Sequence, residues 1–151
     1  MIHLSPITEE NFLRVMHLSV AEDQKGFLSD PAGILARGYV YRDHNARVWA
    51  ICHHDREIGL ALVRDMTEEP ACYELQQFMI DTQYQGHGYG YAALKIILSL
   101  LQEEGRFSSV EVCVNCAAVQ ALRVYQKAGF VDTGYVDESL PNCRNLRFSF
   151  A

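Results

Sequence analysis

Residues 81–90 read Asp-Thr-Gln-Tyr-Gln-Gly-His-Gly-Tyr-Gly, a glycine-rich stretch that runs straight into an apolar-periodic segment. The first amides of a helix have no partner inside it, and glycine lets a bulky anion approach them with no Cβ in the way. The chemistry this suits is the holding of a phosphate or pyrophosphate. Two well-known phosphate patterns fail: no Gly-Lys-Ser/Thr follows for a Walker loop, and the third glycine of a dinucleotide fingerprint counted from Gly86 and Gly88 falls on Tyr91. What remains is Gln/Arg-x-x-Gly-x-Gly/Ala, which starts at Gln83 and again at Gln85. The second register sets Gly90 at the helix start.

Downstream, Ala121-Leu122-Arg123-Val124-Tyr125-Gln126-Lys127-Ala128-Gly129-Phe130 carries a Tyr-x-Lys-x-Gly-Phe ending on an amphipathic helix. Taken in this order, the loop and the late helix resemble the GNAT superfamily of N-acetyltransferases. The likeness covers residues 47–135 well and the rest by the arrangement of elements. It implies acetyl-CoA as acetyl donor, its pyrophosphate on Gln85, Gly86, His87, Gly88, Tyr89 and Gly90, and direct attack by an amine in a ternary complex. It further implies that Phe78, Met79 and Ile80 offer backbone amides to the pantetheine and the thioester oxygen. Tyr125 then protonates the leaving thiolate, and Lys127, like Lys95, is a candidate for the CoA 3′-phosphate. The family often carries Asn seven residues before this Tyr, where Ala118 stands here; Asn115 is the candidate to take over part of its polar work. The general base is open between Glu74 and a chain of waters.

These residues need a scaffold. Residues 3–7 read as a strand, with Thr8 as N-cap of a helix carrying Phe12, Val15, Met16 and Leu18. Residues 21–41 read as one or two short helices broken near Asp30-Pro31. A hairpin is expected over 47–54 and 57–66, then a strand over 72–81 and a helix from the glycine loop to Gly105. A strand over 109–115, a helix over 117–128, a strand over 130–135 and a last strand over 144–150 complete the chain. The fold class is α/β (α+β): a mixed sheet of about six to seven strands, antiparallel at its start, with a parallel pair at the donor loop and helices on both faces. Strict alternation in the third long strand sets Glu74, Gln76, Phe78 and Ile80 on one face and Tyr73, Leu75, Gln77 and Met79 on the other.

Length and composition bound the alternatives. The 151 residues, 49% hydrophobic, suit one domain spanning 1–151. The longest apolar run, at 96–101, is far short of the roughly 20 residues that span a bilayer, and no signal peptide is evident, so a cytoplasmic protein is expected. A net charge of −6 argues against a nucleic-acid partner and leaves room for a cationic one. Cys52, Cys72 and Cys113 sit in apolar runs and read as buried thiols, so Cys113-x-x-Cys116 is set aside as a redox motif. The histidines lack metal-ligand spacing, and no metal is expected. Segments 20–28 and 35–39, with Phe78-Met79-Ile80-Asp81, look like bacterial spermine/spermidine acetyltransferases. That likeness implies a small-molecule amine as acceptor, a polyamine foremost, with Glu22 and Asp23 holding its ammonium groups and Gln76 at the substrate. A protein or peptide N-acetyltransferase and a non-catalytic acyl-CoA-binding module of the same fold are the alternatives. Homodimers are common in the family.

Overall fold

Residues 47–66 alternate side chains that pack on opposite faces, and they fold as the hairpin such a pattern demands. In the computed structural model, which describes residues 1–151, β2 (Arg47–His53) and β3 (Arg56–Met66) pair antiparallel. β1 (Ile2–Pro6) adds to the outer side of β2, and β4 (Cys72–Ile80) to the other side of β3. β5 (Ser109–Asn115) lies parallel to β4, β7 (Cys143–Ser149) antiparallel to β5, and the two-residue β6 (Val131–Asp132) closes the far edge of the 7-stranded sheet. The parallel pair is joined by α3 (Tyr89–Glu104), the crossover that parallel strands require.

Helices cover both faces. On one, α1 (Phe12–Met16) and α2 (Pro31–Val40) bring Val15 and Ile34 against Ala50, Leu60, Leu62 and Met79. On the other, α3 and α4 (Val119–Ala128) seat Leu94, Ile97, Leu101, Tyr125 and Ala128 on Ile51, Val63, Leu75 and Val112. Leu94, Ile97 and Leu101 are completely buried; removing such a side chain from water stabilises the fold by about 1.5–3 kcal/mol.

Several expectations need correction. Leu62 faces Gln77 and Val63 faces Leu75, so Gln76 is an extra residue, a β-bulge in β4. The bulge reverses the alternation: Tyr73, Leu75 and Ile80 all belong to the α3 core, with Phe78 packed against it, while Glu74 and Met79 lie on the α1/α2 side. The first helix starts at Phe12 and not after Thr8, because Asn11 Oδ1 accepts from Thr8 N at 2.8 Å and holds that stretch as a turn; Leu18 lies beyond its end. Residues 21–41 do form two short helical pieces broken near Asp30-Pro31, as expected: a 3₁₀ segment, Glu22–Phe27, and α2, whose start is capped by Asp30 Oδ1 accepting from Gly33 N at 2.7 Å. The expected strand over 130–135 shrinks to β6, since the Thr133 hydroxyl and amide both bond Asn145 O and turn the chain. Cys113 is exposed, unlike Cys52 and Cys72, because Val110, Val112 and Val114 take the core face of β5 and leave Cys113 on the other.

Candidate active site

β4 and β5 pair only at Tyr73–Val110 and Glu74–Glu111, although both strands continue, to Ile80 and to Asn115. Beyond the Gln76 bulge they diverge, and the gap between them is the floor of a cleft of about 980 Å³. Its walls are the glycine loop and the start of α3, the inner face of α4, and the segment before α2 that includes Asp23, Gln24, Phe27 and Leu28. A smaller hollow between α2 and β2, lined by Leu35, Gly38 and Trp49 among others, is on the opposite face and has Arg47 as its one charged lining group.

One side of the cleft, at the glycine loop, is made of backbone. Consecutive amides from Gln85 to Tyr91 find no acceptor within the protein; the first amide of the helix to be taken up is that of Ala92, by Gly88 O at 3.1 Å. Gly86 and Gly88 hold φ of +82° and +80°, and nothing lies within 4 Å of where a Cβ on either would stand. A left-handed turn with open space in front of free amides at a helix N-terminus fits a pyrophosphate. Gly86, Gly88, Tyr89 and Gly90 line the cleft, whereas His87 does not: its ring is 5.5 Å from that of Tyr89, which in turn stacks on His53 at 4.6 Å. The Gln85 side chain points back, its Nε2 donating to Ile80 O at 2.8 Å and to Gln24 Oε1 at 2.9 Å. Phe78, Met79 and Ile80 follow the bulge along the edge of β4 that no longer meets β5.

Tyr125 faces this floor from α4. Its ring is held edge-on by Phe78 at 6.2 Å and by Phe130 at 5.4 Å, and the residue is 6% exposed. Burial pushes its phenol well above the ordinary tyrosine range, so the hydroxyl stays protonated at neutral pH. The Gln76 side-chain oxygen is buried without a hydrogen-bond partner, and Gln76 lines the same cleft. A buried acceptor left unpaired costs about 1–3 kcal/mol.

The other expected residues are scattered. Asn115 lines the cleft, but its Oδ1 accepts from Ala117 N at 2.9 Å and so shapes the turn into α4. Lys127 sits with Nζ 4.3 Å above the Tyr91 ring at the cleft margin. Asp23 lines the cleft; Glu22 does not, and its 88% exposed side chain pairs with Lys25 at 2.7 Å. Glu74 is outside the lining, held by Arg64 at 2.8 Å, with that guanidinium 4.1 Å above the Tyr41 ring. Asp81, read from the sequence only as the last residue of Phe78-Met79-Ile80-Asp81, is buried at the end of β4, where it accepts from Ser19 N and Gln83 N at 2.9 Å each and pins the exit of α1 to the glycine loop. The only local signal for it was its place at the strand-to-loop junction. Gln24 was marked only as part of the 20–28 segment, and Gln120 had no signal.

The sequence profile of the acetyltransferase (GNAT) domain family matches residues 8–131, and the chain belongs to this family. It is an N-acetyltransferase, and acetyl-CoA is its acetyl donor. Among curated proteins, it is 23% identical over 150 residues to a spermine/spermidine N(1)-acetyltransferase of Bacillus subtilis, covering 90% of this chain and 91% of that one. The fold is similar to that of a spermidine N-acetyltransferase from Vibrio cholerae in complex with CoA and spermine, with a TM-score of 0.76, 13% identity, and coverage of 98% and 95%. It is slightly more similar to that of an aminoglycoside acetyltransferase in complex with coenzyme A, with a TM-score of 0.79, 16% identity, and coverage of 99% and 95%.

Proposed function

We propose that this protein transfers the acetyl group of acetyl-CoA to a primary amine of a polyamine such as spermidine or spermine. In this reading residues 1–151 work as one unit in the cytoplasm. The observation that carries it is the split between β4 and β5, which opens a cleft between a row of free amides and a carboxylate-bearing wall. The pyrophosphate takes the amides of the glycine loop, with Lys127 at the phosphate end. The pantetheine lies along Phe78, Met79 and Ile80, standing in for the strand that β4 lacks there. The amine enters from the side of Asp23 and passes Gln76, which lines the same cleft.

Attack of the neutral amine on the thioester carbon forms the C–N bond, and collapse of the tetrahedral intermediate breaks the C–S bond. Tyr125 gives its proton to the departing thiolate, a step that suits a phenol kept protonated by burial. Glu74 is paired with Arg64 and lies outside the cleft lining, so the amine loses its proton through water. Cys113 lines the cleft, but desolvation and its neighbours Cys143, Glu74 and Asp137 push its thiol up to about 11. Although the residue as a whole is exposed, a thiol so seldom ionised is a poor nucleophile, which favours direct transfer over an acyl-enzyme.

The test is a thiol-release assay with acetyl-CoA across polyamines, aminoglycosides, amino acids and peptides. We expect spermidine or spermine to give the highest kcat/KM. Turnover of another class with none for any polyamine would move the acceptor assignment and leave the acetyltransferase standing.

A further inference from the structure

The 3₁₀ segment Glu22–Phe27 touches both other walls of the cleft through one side chain. Gln24 Nε2 donates to Gln85 Oε1 and to Gln120 Oε1, each at 3.2 Å, and Gln24 Oε1 accepts from Gln85 Nε2 at 2.9 Å and from Ala21 N at 3.1 Å. Gln24 and Gln85 thus form a head-to-tail amide pair, and Gln85 is itself anchored to the end of β4 at Ile80 O. Every hydrogen on both amide nitrogens is used, and so are both lone pairs of Gln24 Oε1. Gln85 is on the donor loop, Gln120 in the first turn of α4, and Gln24 on the wall facing the acceptor. The flanks of the 3₁₀ segment are anchored, Val20 and Leu28 packing on the α1/α2 core and Ser29 N donating to Gln77 Oε1 at 3.0 Å. Between them, apart from the bonds of Gln24, the segment buries no residue of its own and its remaining side-chain bond is the exposed Lys25–Glu22 pair.

We propose that Gln24 is a positioning residue that couples the two substrate sites, so that filling the donor loop fixes the acceptor wall. The proposal rests on the assignment of acetyl-CoA to the glycine loop. The loop amides are free while the Gln85 side chain is fully engaged, so an anion is received by the backbone and need not break the amide pair. Holding the loop still then holds Gln85, and through it Gln24 and residues 21–28. The coupling is reciprocal, as any binding linkage must be: an amine on the ordered wall tightens CoA binding by the same factor. The element with two arrangements is the wall segment itself, tied or untied.

Gln24→Met tests this, because it keeps length and packing while removing all four bonds. Hydrogen exchange is followed by mass spectrometry on the full chain with and without CoA. In the unaltered protein CoA slows exchange both in the peptide over 85–91 and in the peptide over 20–29, the latter by about tenfold for a coupling near 1.4 kcal/mol. In Gln24→Met the protection over 85–91 persists and the CoA effect over 20–29 disappears, while KM for the amine rises more than kcat falls. A residue that merely stabilises the segment would speed its exchange equally with and without CoA, and that outcome overturns the proposal. So does CoA-dependent protection over 20–29 that survives in Gln24→Met, or its absence in the unaltered protein when 85–91 is protected. If CoA leaves 85–91 unprotected in the unaltered protein, the donor-site assignment fails first and the coupling goes with it.

Discussion

On the proposed donor side of the cleft the groups are consecutive in the chain; on the proposed acceptor side they come from segments far apart and meet through side chains. The donor wall is a run of backbone amides on a loop between a buried strand and a 16-residue helix. It is held by core packing beneath it, with Ile80 and Ala93 in the same apolar cluster. The acceptor wall is a 3₁₀ segment with no buried residue, tied down by glutamine amides at sequence separations of 61 and 96. A rigid donor site and a lightly tethered acceptor site suit a family that keeps one donor and varies the amine: the chemistry stays on the core while selectivity resides in the loops. The contrast predicts that substitutions on the donor and catalytic side cost much, and that those on the acceptor side cost little each.

Tyr125 offers the largest effect. Tyr125→Phe keeps the edge-on contacts to Phe78 and Phe130 and removes only the hydroxyl. General-acid help is typically worth about 10²–10⁴-fold, and kcat should fall by that factor with CoA affinity little changed. Because burial raises the Tyr125 pKa, the proton remains available well into the alkaline range. The rate should therefore climb as the amine deprotonates and show no descending limb before about pH 10, the ordinary tyrosine value. A Phe variant with near-normal kcat, where chemistry limits the rate, would leave Tyr125 as core packing alone.

Gly88 comes next. Its φ of +80° is the reason for the glycine in the folded chain, since a Cβ there meets no protein atom. In Gly88→Ala the left-handed conformation costs about 1–2 kcal/mol, and the new methyl stands in the space where the pyrophosphate meets the amides. Calorimetry should show CoA binding weakened about tenfold or more, equivalent to 1.4 kcal/mol per decade, in a protein that melts slightly earlier. Unchanged CoA affinity in a folded variant would remove the glycine loop from the donor site.

The same contrast governs what could be read from the sequence. That residues 81–90 and 121–130 would meet at one cleft was legible because their signals are local: glycine at a helix start and an aromatic one strand later are visible without knowing what packs on them. The antiparallel start and the parallel pair followed from the succession of strands and helices, but the place of β7 between β5 and β6 did not. The bulge at Gln76 was not legible, since the row from Tyr73 to Ile80 reads as uninterrupted alternation, and a single inserted residue leaves no mark until the partner strand fixes the register. The fate of Glu74 turned on Arg64, its cross-strand neighbour. Gln24 and Gln120 carry no pattern of their own; only the fold brings them to Gln85.

The smallest effect separates two neighbouring carboxylates. Glu22 and Asp23 are equivalent as sequence, but Asp23 lines the cleft and Glu22 faces solvent beside Lys25. If Asp23 meets a distal ammonium of the polyamine, the pair is an exposed one, worth about 0.2–1 kcal/mol. Asp23→Asn should then raise KM for spermidine by no more than about fivefold, leaving kcat and the KM for acetyl-CoA nearly unaltered. Glu22→Gln should change KM less. The difference should also fade as salt is raised, because the Debye length shrinks from about 10 Å at 0.1 M to about 3 Å at 1 M, whereas the loss in Tyr125→Phe, made by removing a proton donor at a buried site, should not. Equal effects of the two substitutions would mean that the wall acts by its net charge and that neither carboxylate contacts the amine. An effect of Asp23→Asn far above fivefold would mean that the wall closes and dries the pair, placing the acceptor side under the same tight control as the donor side.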